Sequence, residues 1–157
     1  MTGGLAFHGA SRSVLSFSFD DDTWREEPPM SFERVNHSMA SVGDRLFVFG
    51  GGELDFSDII VISVPAVEVF EPLSGTAMWT TCKAELRVQS GHVAVVDRSI
   101  YIVGGHDVDL VELPRYGEVQ IYSPDEDRFV LNSMNGPPLP LFKVCYCVLQ
   151  LPQFLCI

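Results

Sequence analysis

Residues 34–51 read RVNHSMASVGDRLFVFGG, and residues 87–105 read RVQSGHVAVVDRSIYIVGG. Each opens on an Arg and passes through a polar stretch with a His. A small-and-apolar run, an Asp-Arg turn and an apolar strand follow, and the strand stops on two glycines. The first block is one residue shorter. A turn absorbs that difference, whereas a slip inside a strand would send its side chains to the opposite face. Self-similarity of this kind marks a repeat architecture.

The match continues downstream. VEVFEPLSGTAMW ends at Trp79 and EVQIYSPDEDRF ends at Phe129. Each is an alternating strand ending in an aromatic, Phe70 or Tyr122. A turn with proline follows (Glu71-Pro72 or Ser123-Pro124), and then a second aromatic, Trp79 or Phe129. Each unit therefore reads as four short strands joined by turn residues over about fifty residues. The N-terminus fits as the back half of an earlier unit. Gly3-Gly4 ends its glycine strand, and VLSFSFDDDTW supplies Phe19 and Trp24 as its aromatic pair. Pro28-Pro29-Met30 bridges to Arg34. FKVCYCVLQ near the C-terminus reads as the first strand of a further unit, after which neither a second strand nor a glycine pair is expected. No window supports a long helix, because glycine, proline and strand alternation interrupt every candidate.

These residues resemble the kelch repeat, whose signature is an apolar strand ending in Gly-Gly, a spaced aromatic and then a Trp, with an Arg opening the next unit. Here the signature residues are Gly50, Gly51, Phe70 and Trp79, then Gly104, Gly105, Tyr122 and Phe129. Gly3, Gly4, Phe19 and Trp24 match in part. The resemblance implies an all-β fold, a partial kelch-type β-propeller built from four-stranded antiparallel blades. Its expected divisions are 1–30 as the C-terminal half of a blade, 31–80 and 84–130 as kelch repeats, and 137–157 as the start of a further blade with a divergent hydrophobic tail. A blade cannot bury both faces alone and needs neighbours. Core packing between blades is therefore the expected role of the aromatics, each burying about 150–250 Å².

Composition bounds the function. Hydrophobic residues are 46% and charged residues 20%, a globular balance. A net charge of -11 with ten Lys+Arg and no basic stripe argues against nucleic acid. The greasy tail is broken by Lys143, Pro140, Pro152, Gln150 and Gln153, so no membrane span is expected. The cysteines, Cys82, Cys145, Cys147 and Cys156, are not spaced as a disulfide framework. They read as thiols in a reducing, cytoplasmic compartment. Cys145 and Cys147 form C-x-C without a second pair or a nearby His, so neither a metal site nor a cofactor is expected.

No catalytic constellation stands out. His8, His37, His92 and His106 are the only histidines, and His37 and His92 lie in equivalent stretches, as structural residues would. His106-Asp107 lacks a third partner for metal or general-base work. A galactose-oxidase-like enzyme on this fold would need a Tyr-Cys pair with further Tyr and His ligands. Tyr146, between two cysteines, lacks the rest. The resemblance instead implies a non-enzymatic protein-interaction module, with contact residues just after each doublet and just before each first strand. These are Gly52, Glu53, His106 and Asp107, with Asn36 and Ser90. The implied partner is a substrate protein presented to a cullin-3 ubiquitin ligase through a BTB domain, with actin as the cytoskeletal alternative.

Overall fold

The computed structural model describes residues 1–7, 9–55, 60–72, 77–86, 91–105, 119–130, 149–151 and 154–156. Every regular element among them is a strand. Strands β1 (Leu5–Ala6), β2 (Gly9–Ala10), β3 (Val14–Ser18) and β4 (Thr23–Glu27) make two hairpins. Next come β5 (Ser38–Val42), β6 (Arg45–Phe49), β7 (Gly52–Asp55), β8 (Ile60–Ser63), β9 (Ala66–Phe70) and β10 (Trp79–Glu85). The last group is β11 (His92–Val96), β12 (Ser99–Val103), β13 (Val119–Ser123), β14 (Arg128–Val130), β15 (Leu149–Leu151) and β16 (Phe154–Cys156).

Two four-stranded antiparallel sheets form the blades. One has the order β10-β9-β6-β5 and the other β11-β12-β13-β14. The glycine strands β6 and β12 take the second position in each. The aromatic-ending strands β9 and β13 pair with them in matching register, Leu46 opposite Phe70 and Ile100 opposite Tyr122. The hairpin β3–β4 corresponds to the outer pair of an earlier blade. Met1 and Thr2 lie along β3 as the end of that blade's glycine strand, through the Thr2–Val14 bridge and the Leu15 N–H bond to the Met1 carbonyl at 2.8 Å.

The aromatics stand in direct cross-strand pairs, Phe70 opposite Trp79 and Tyr122 opposite Phe129, with ring centroids 5.2 and 5.4 Å apart. The N-terminal hairpin repeats the pair, with a correction. Trp24 faces Phe17, not Phe19, at 5.1 Å. Phe19 lies two residues further on, where the other units carry Pro72 and Pro124, and it is 88% exposed. Trp24 is 61% exposed. Neither joins the core, because the described residues place no sheet against that face.

The other pairs do bury themselves, each toward the preceding sheet. Tyr122 packs on Phe47 and Phe49 of the first blade, in a cluster with Val67, Leu86, Ile100 and Ile102. Phe70 and Trp79 pack with Val14 and Met30 of the N-terminal segment. Polar bonds fasten the same joints. The Trp79 indole donates to the Pro28 carbonyl at 2.8 Å. Asp127, in the β13–β14 turn, accepts from the Tyr122 hydroxyl at 2.9 Å and from the Lys83 N–H of β10 at 2.7 Å. Burial of Asp127 opposes its ionisation, but these donors outweigh it and hold the carboxyl below its usual range. Burial, with the adjacent Cys82 and Asp127, pushes the Tyr122 hydroxyl well up. At the exposed turn end, Asp125 accepts from Arg45 of the first blade at 3.0 Å and from Arg98 of its own at 3.1 Å.

The long apolar insert between Gly51 and Phe70 forms a hairpin, β7–β8, between β6 and β9. One expectation from the sequence needs amendment. Near the C-terminus a second short strand does follow, because β15 pairs with β16. Residues 142–148 of the expected first strand there lie outside the described residues.

Replacing Trp79 by Ala empties a buried site and orphans the Pro28 carbonyl. The expected loss is about 3–5 kcal/mol of unfolding free energy, measured by urea denaturation. A loss below about 1 kcal/mol, the ordinary surface range, contradicts the packing described.

Candidate functional site

The glycine doublets share one backbone geometry. Gly3-Gly4 has φ of 55° and 100°, Gly50-Gly51 has 59° and 79°, and Gly104-Gly105 has 67° and 87°. Side chains other than glycine strain there. Two of these glycines also lack space. A Cβ on Gly3 would stand 2.7 Å from the Arg34 carbonyl oxygen, and one on Gly51 would stand 2.5 Å from the Val35 carbonyl oxygen. The doublets thus clasp the segment 34–37 from two sides, through the first glycine of one pair and the second of the other. Beside Gly4 the same construction meets nothing.

That clasp organises a ribbon across this end of the molecule. After the first two doublets the chain makes a hairpin, β1–β2 after Gly3-Gly4 and β7–β8 after Gly50-Gly51. Each hairpin is closed at its base by an equivalent bond. Ser11 N–H donates to the Gly4 carbonyl at 2.9 Å, and Val64 N–H donates to the Gly51 carbonyl at 3.0 Å. Residues 34 and 35 then link the two hairpins. Arg34 N–H donates to the Ser11 carbonyl at 2.9 Å, and Val35 and Gly52 exchange N–H bonds at 2.9 and 3.0 Å.

Arg34 fixes the ribbon from below. It is fully buried and forms an ion pair with the equally buried Glu68 of β9, with Nη2 to Oε2 at 3.0 Å. Its Nη1 donates to the Gly50 carbonyl and its Nη2 to the Ala66 carbonyl, both at 2.6 Å. The other Glu68 oxygen accepts the Ser31 N–H at 2.7 Å. Burial lowers the Arg34 pKa, with Glu68 and then Glu53 pulling it back up.

The residues expected to make contacts fall into three groups. Asn36 is exposed and in the left-handed region at φ 56°. It stands next to the ribbon with Glu53, which is half-buried in β7 directly opposite Ile62. Gly52 is in the ribbon but does not turn outward as expected. It is buried, and both its backbone groups are bonded to Val35. Ser90, His106 and Asp107 lie outside the described residues. The structure adds apolar residues that sequence reasoning passed over. Leu5 is 69% exposed, Phe7 92% and Ile62 54%, and all three are on the post-doublet hairpins. The signal available in the sequence was the surplus of apolar residues between each doublet and the next strand. Among the described residues, no group of three or more His, Cys, Asp and Glu is placed to hold a metal ion. No helix among them is long and apolar enough to cross a membrane.

No family model matches the chain. Known proteins resemble it nonetheless. Kelch-like protein 36 of Mus musculus is 30% identical over 144 residues, covering 88% of this chain. Kelch-like protein 15 of Homo sapiens is 28% identical over 179 residues, covering 98%. Kelch-like protein 25 of Xenopus tropicalis is 30% identical over 139 residues, covering 85%. The chain belongs to the kelch-repeat family. It spans 22%, 28% and 23% of the length of those three relatives. The solved structure of YjhT superimposes with a TM-score of 0.61 at 15% identity, over 82% of this chain and 49% of that one, a likeness of fold. The kelch-repeat fold here is all-β, two four-stranded antiparallel propeller blades with the outer half of a third.

Two substitutions test the clasp and its anchor. Gly51→Ala combines strain with a backbone clash and is expected to cost about 2–4 kcal/mol, whereas Gly4→Ala carries the strain alone, about 1–2 kcal/mol. Comparing their thermal unfolding checks the order, and equal losses contradict it. Glu68→Ala strands a buried guanidinium and is expected to cost about 3–5 kcal/mol. Glu68→Gln keeps an acceptor and costs less. The second blade already carries Gln120 at that register position, opposite Ile102 as Glu68 is opposite Val48.

Proposed function

We propose that the chain is a protein-recognition segment of a kelch propeller and that the ribbon at the doublet end contacts the partner. One observation carries this reading. Leu5, Phe7 and Ile62 are exposed on hairpins whose bases are hydrogen-bonded through residues 34 and 35 and anchored by Arg34. Exposed apolar side chains on a rigid frame are the usual make-up of a recognition surface. Asn36 and Glu53 supply polar selectivity beside them, and Gly52 serves as backbone support. Ser90, His106 and Asp107 are the corresponding contacts from the next unit.

Within this reading the chain binds and does not catalyse, in a cytoplasmic setting. The finer proposal is that the bound protein is a substrate delivered to a cullin-3 ubiquitin ligase by a BTB domain carried elsewhere in the assembly. That step extends the kelch-like resemblance, since fold and family alone do not assign it.

The test is affinity capture with identification of the recovered proteins. Ile62→Asp and Glu53→Lys are expected to lower recovery of the partner by about tenfold or more, as centrally placed contacts do. Arg98→Ala, at the opposite turn end, is expected to leave recovery unchanged. Partners kept by the ribbon variants and lost with Arg98→Ala overturn the assignment. Absence of cullin-3 when a BTB-bearing form is used removes the ligase reading, and co-sedimentation with filamentous actin replaces it with the cytoskeletal one.

A further inference from the structure

His37 sits where the N-terminal sheet meets the first blade. Its Nε2 lies 2.9 Å from Thr2 Oγ1. Thr2 is buried and bridges to Val14 of β3. The Thr2 hydroxyl donates its single proton to Met39 Sδ at 3.6 Å. With that proton directed at sulfur only lone pairs face the imidazole, and on this assignment of the tautomer Nε2 carries the ring proton and donates to Thr2. Nδ1 is then the bare nitrogen. It is buried, with no hydrogen-bond partner among the described residues. The residue also stands between the doublets, its ring against Gly3 and its Cβ against Gly51. Its Cε1 is 2.8 Å from where a Cβ on Gly3 would stand, and its Cβ is 2.9 Å from the same point on Gly51.

A second proton has to enter at Nδ1, creating a buried cation that the Thr2 and Arg34 main chain offsets only in part. The charged groups on the surrounding elements do not compensate. Arg34, on the same segment, is positive. Glu68 of β9 is occupied by Arg34 and the Ser31 N–H, and Glu53 of β7 acts on Arg34. The facing segment brings Thr2, Gly3 and the Met1 ammonium, which donates to the Leu15 carbonyl at 2.6 Å. Burial first, and the Arg34 charge second, hold His37 below the ordinary histidine value, against smaller pulls from the Thr2 and Arg34 main chain.

We propose that His37 is an acid-sensitive latch between the N-terminal sheet and the first blade. On protonation the ring leaves its place against Gly3, the bond to Thr2 breaks, and the junction beside Asn36 loosens. The latch does not depend on what the ribbon binds. The sign follows from linkage. The opened state takes up the proton at a higher pH than the closed state does. Junction stability is therefore complete above about pH 6.5 and declines as pH falls below it.

Amide hydrogen exchange on the whole chain, read as protection at Gly3, Gly4 and Ser11 from pH 7.5 to 5, tests this. Protection at these amides is expected to fall by up to about tenfold per pH unit below about 6.5, the limit for one linked proton. Ile100 and Ile102 of the second blade are expected to hold theirs. His37→Gln retains a donor for Thr2 without a titrating ring and should abolish the decline. An unchanged decline in His37→Gln overturns the proposal. So does a folded-state NMR titration of His37 with its midpoint at or above 6.5. The wild-type titration decides the matter by itself if the variant does not fold.

Discussion

The buried Arg34 guanidinium is the constraint on which the rest of this end of the molecule depends. In one planar group it meets the carbonyl of a doublet glycine, the carbonyl at the start of β9 and the carboxylate of Glu68. Through Glu68 it also reaches the Ser31 N–H in the bridge between sheets. A lysine has no rigid fork and could not hold these directions at once. A buried ion pair of this kind contributes little net stability compared with an apolar replacement, yet removing either member is expensive. Its value here lies in position, since it sets where the chain leaves the doublet and hence where the hairpins stand.

Between the sheets, the joint is a sequence of repeated solutions with local substitutions. The Phe70–Trp79 and Tyr122–Phe129 pairs lean on the sheet before them, and both are closed by a polar bond that suits the ring. The Trp79 indole finds the Pro28 carbonyl, and the Tyr122 hydroxyl finds Asp127. Asp127 in turn caps N–H groups on β10, so the turn of one blade finishes the edge of its neighbour. At the first pair, Phe17 with Trp24, no described residue plays the opposing part. The same side chains that make core elsewhere are surface there.

The repeat and most of its landmarks were legible in the sequence because each is a residue type with one physical use. Paired glycines adopt positive φ, and Phe70–Trp79 and Tyr122–Phe129 occupy fixed cross-strand positions. Spacing alone misassigned Phe19. Counting from the doublet gives the right neighbourhood, but only strand register identifies Phe17 as the ring opposite Trp24. Glu68 was invisible for another reason. An acid in an alternating strand normally reads as a solvent-facing residue, and its burial depends on an arginine more than thirty positions away. The post-doublet hairpins were likewise hidden, since an apolar insert shows neither its turn nor its pairing until the backbone of residues 34 and 35 joins it. Gly52 misled because adjacency to a turn suggested exposure, while its backbone was already committed to Val35.

The bond that shuts each hairpin at its base has an architectural consequence. Because Ser11 to Gly4 and Val64 to Gly51 close the excursion before the next blade strand begins, whatever lies beyond that bond is mechanically decoupled from blade register. The two hairpins already differ in length on the same footing. Lengthening a closed loop costs only slowly growing entropy. The excursion is therefore a modular arm, free to change reach and chemistry while the sheet beneath keeps its alignment.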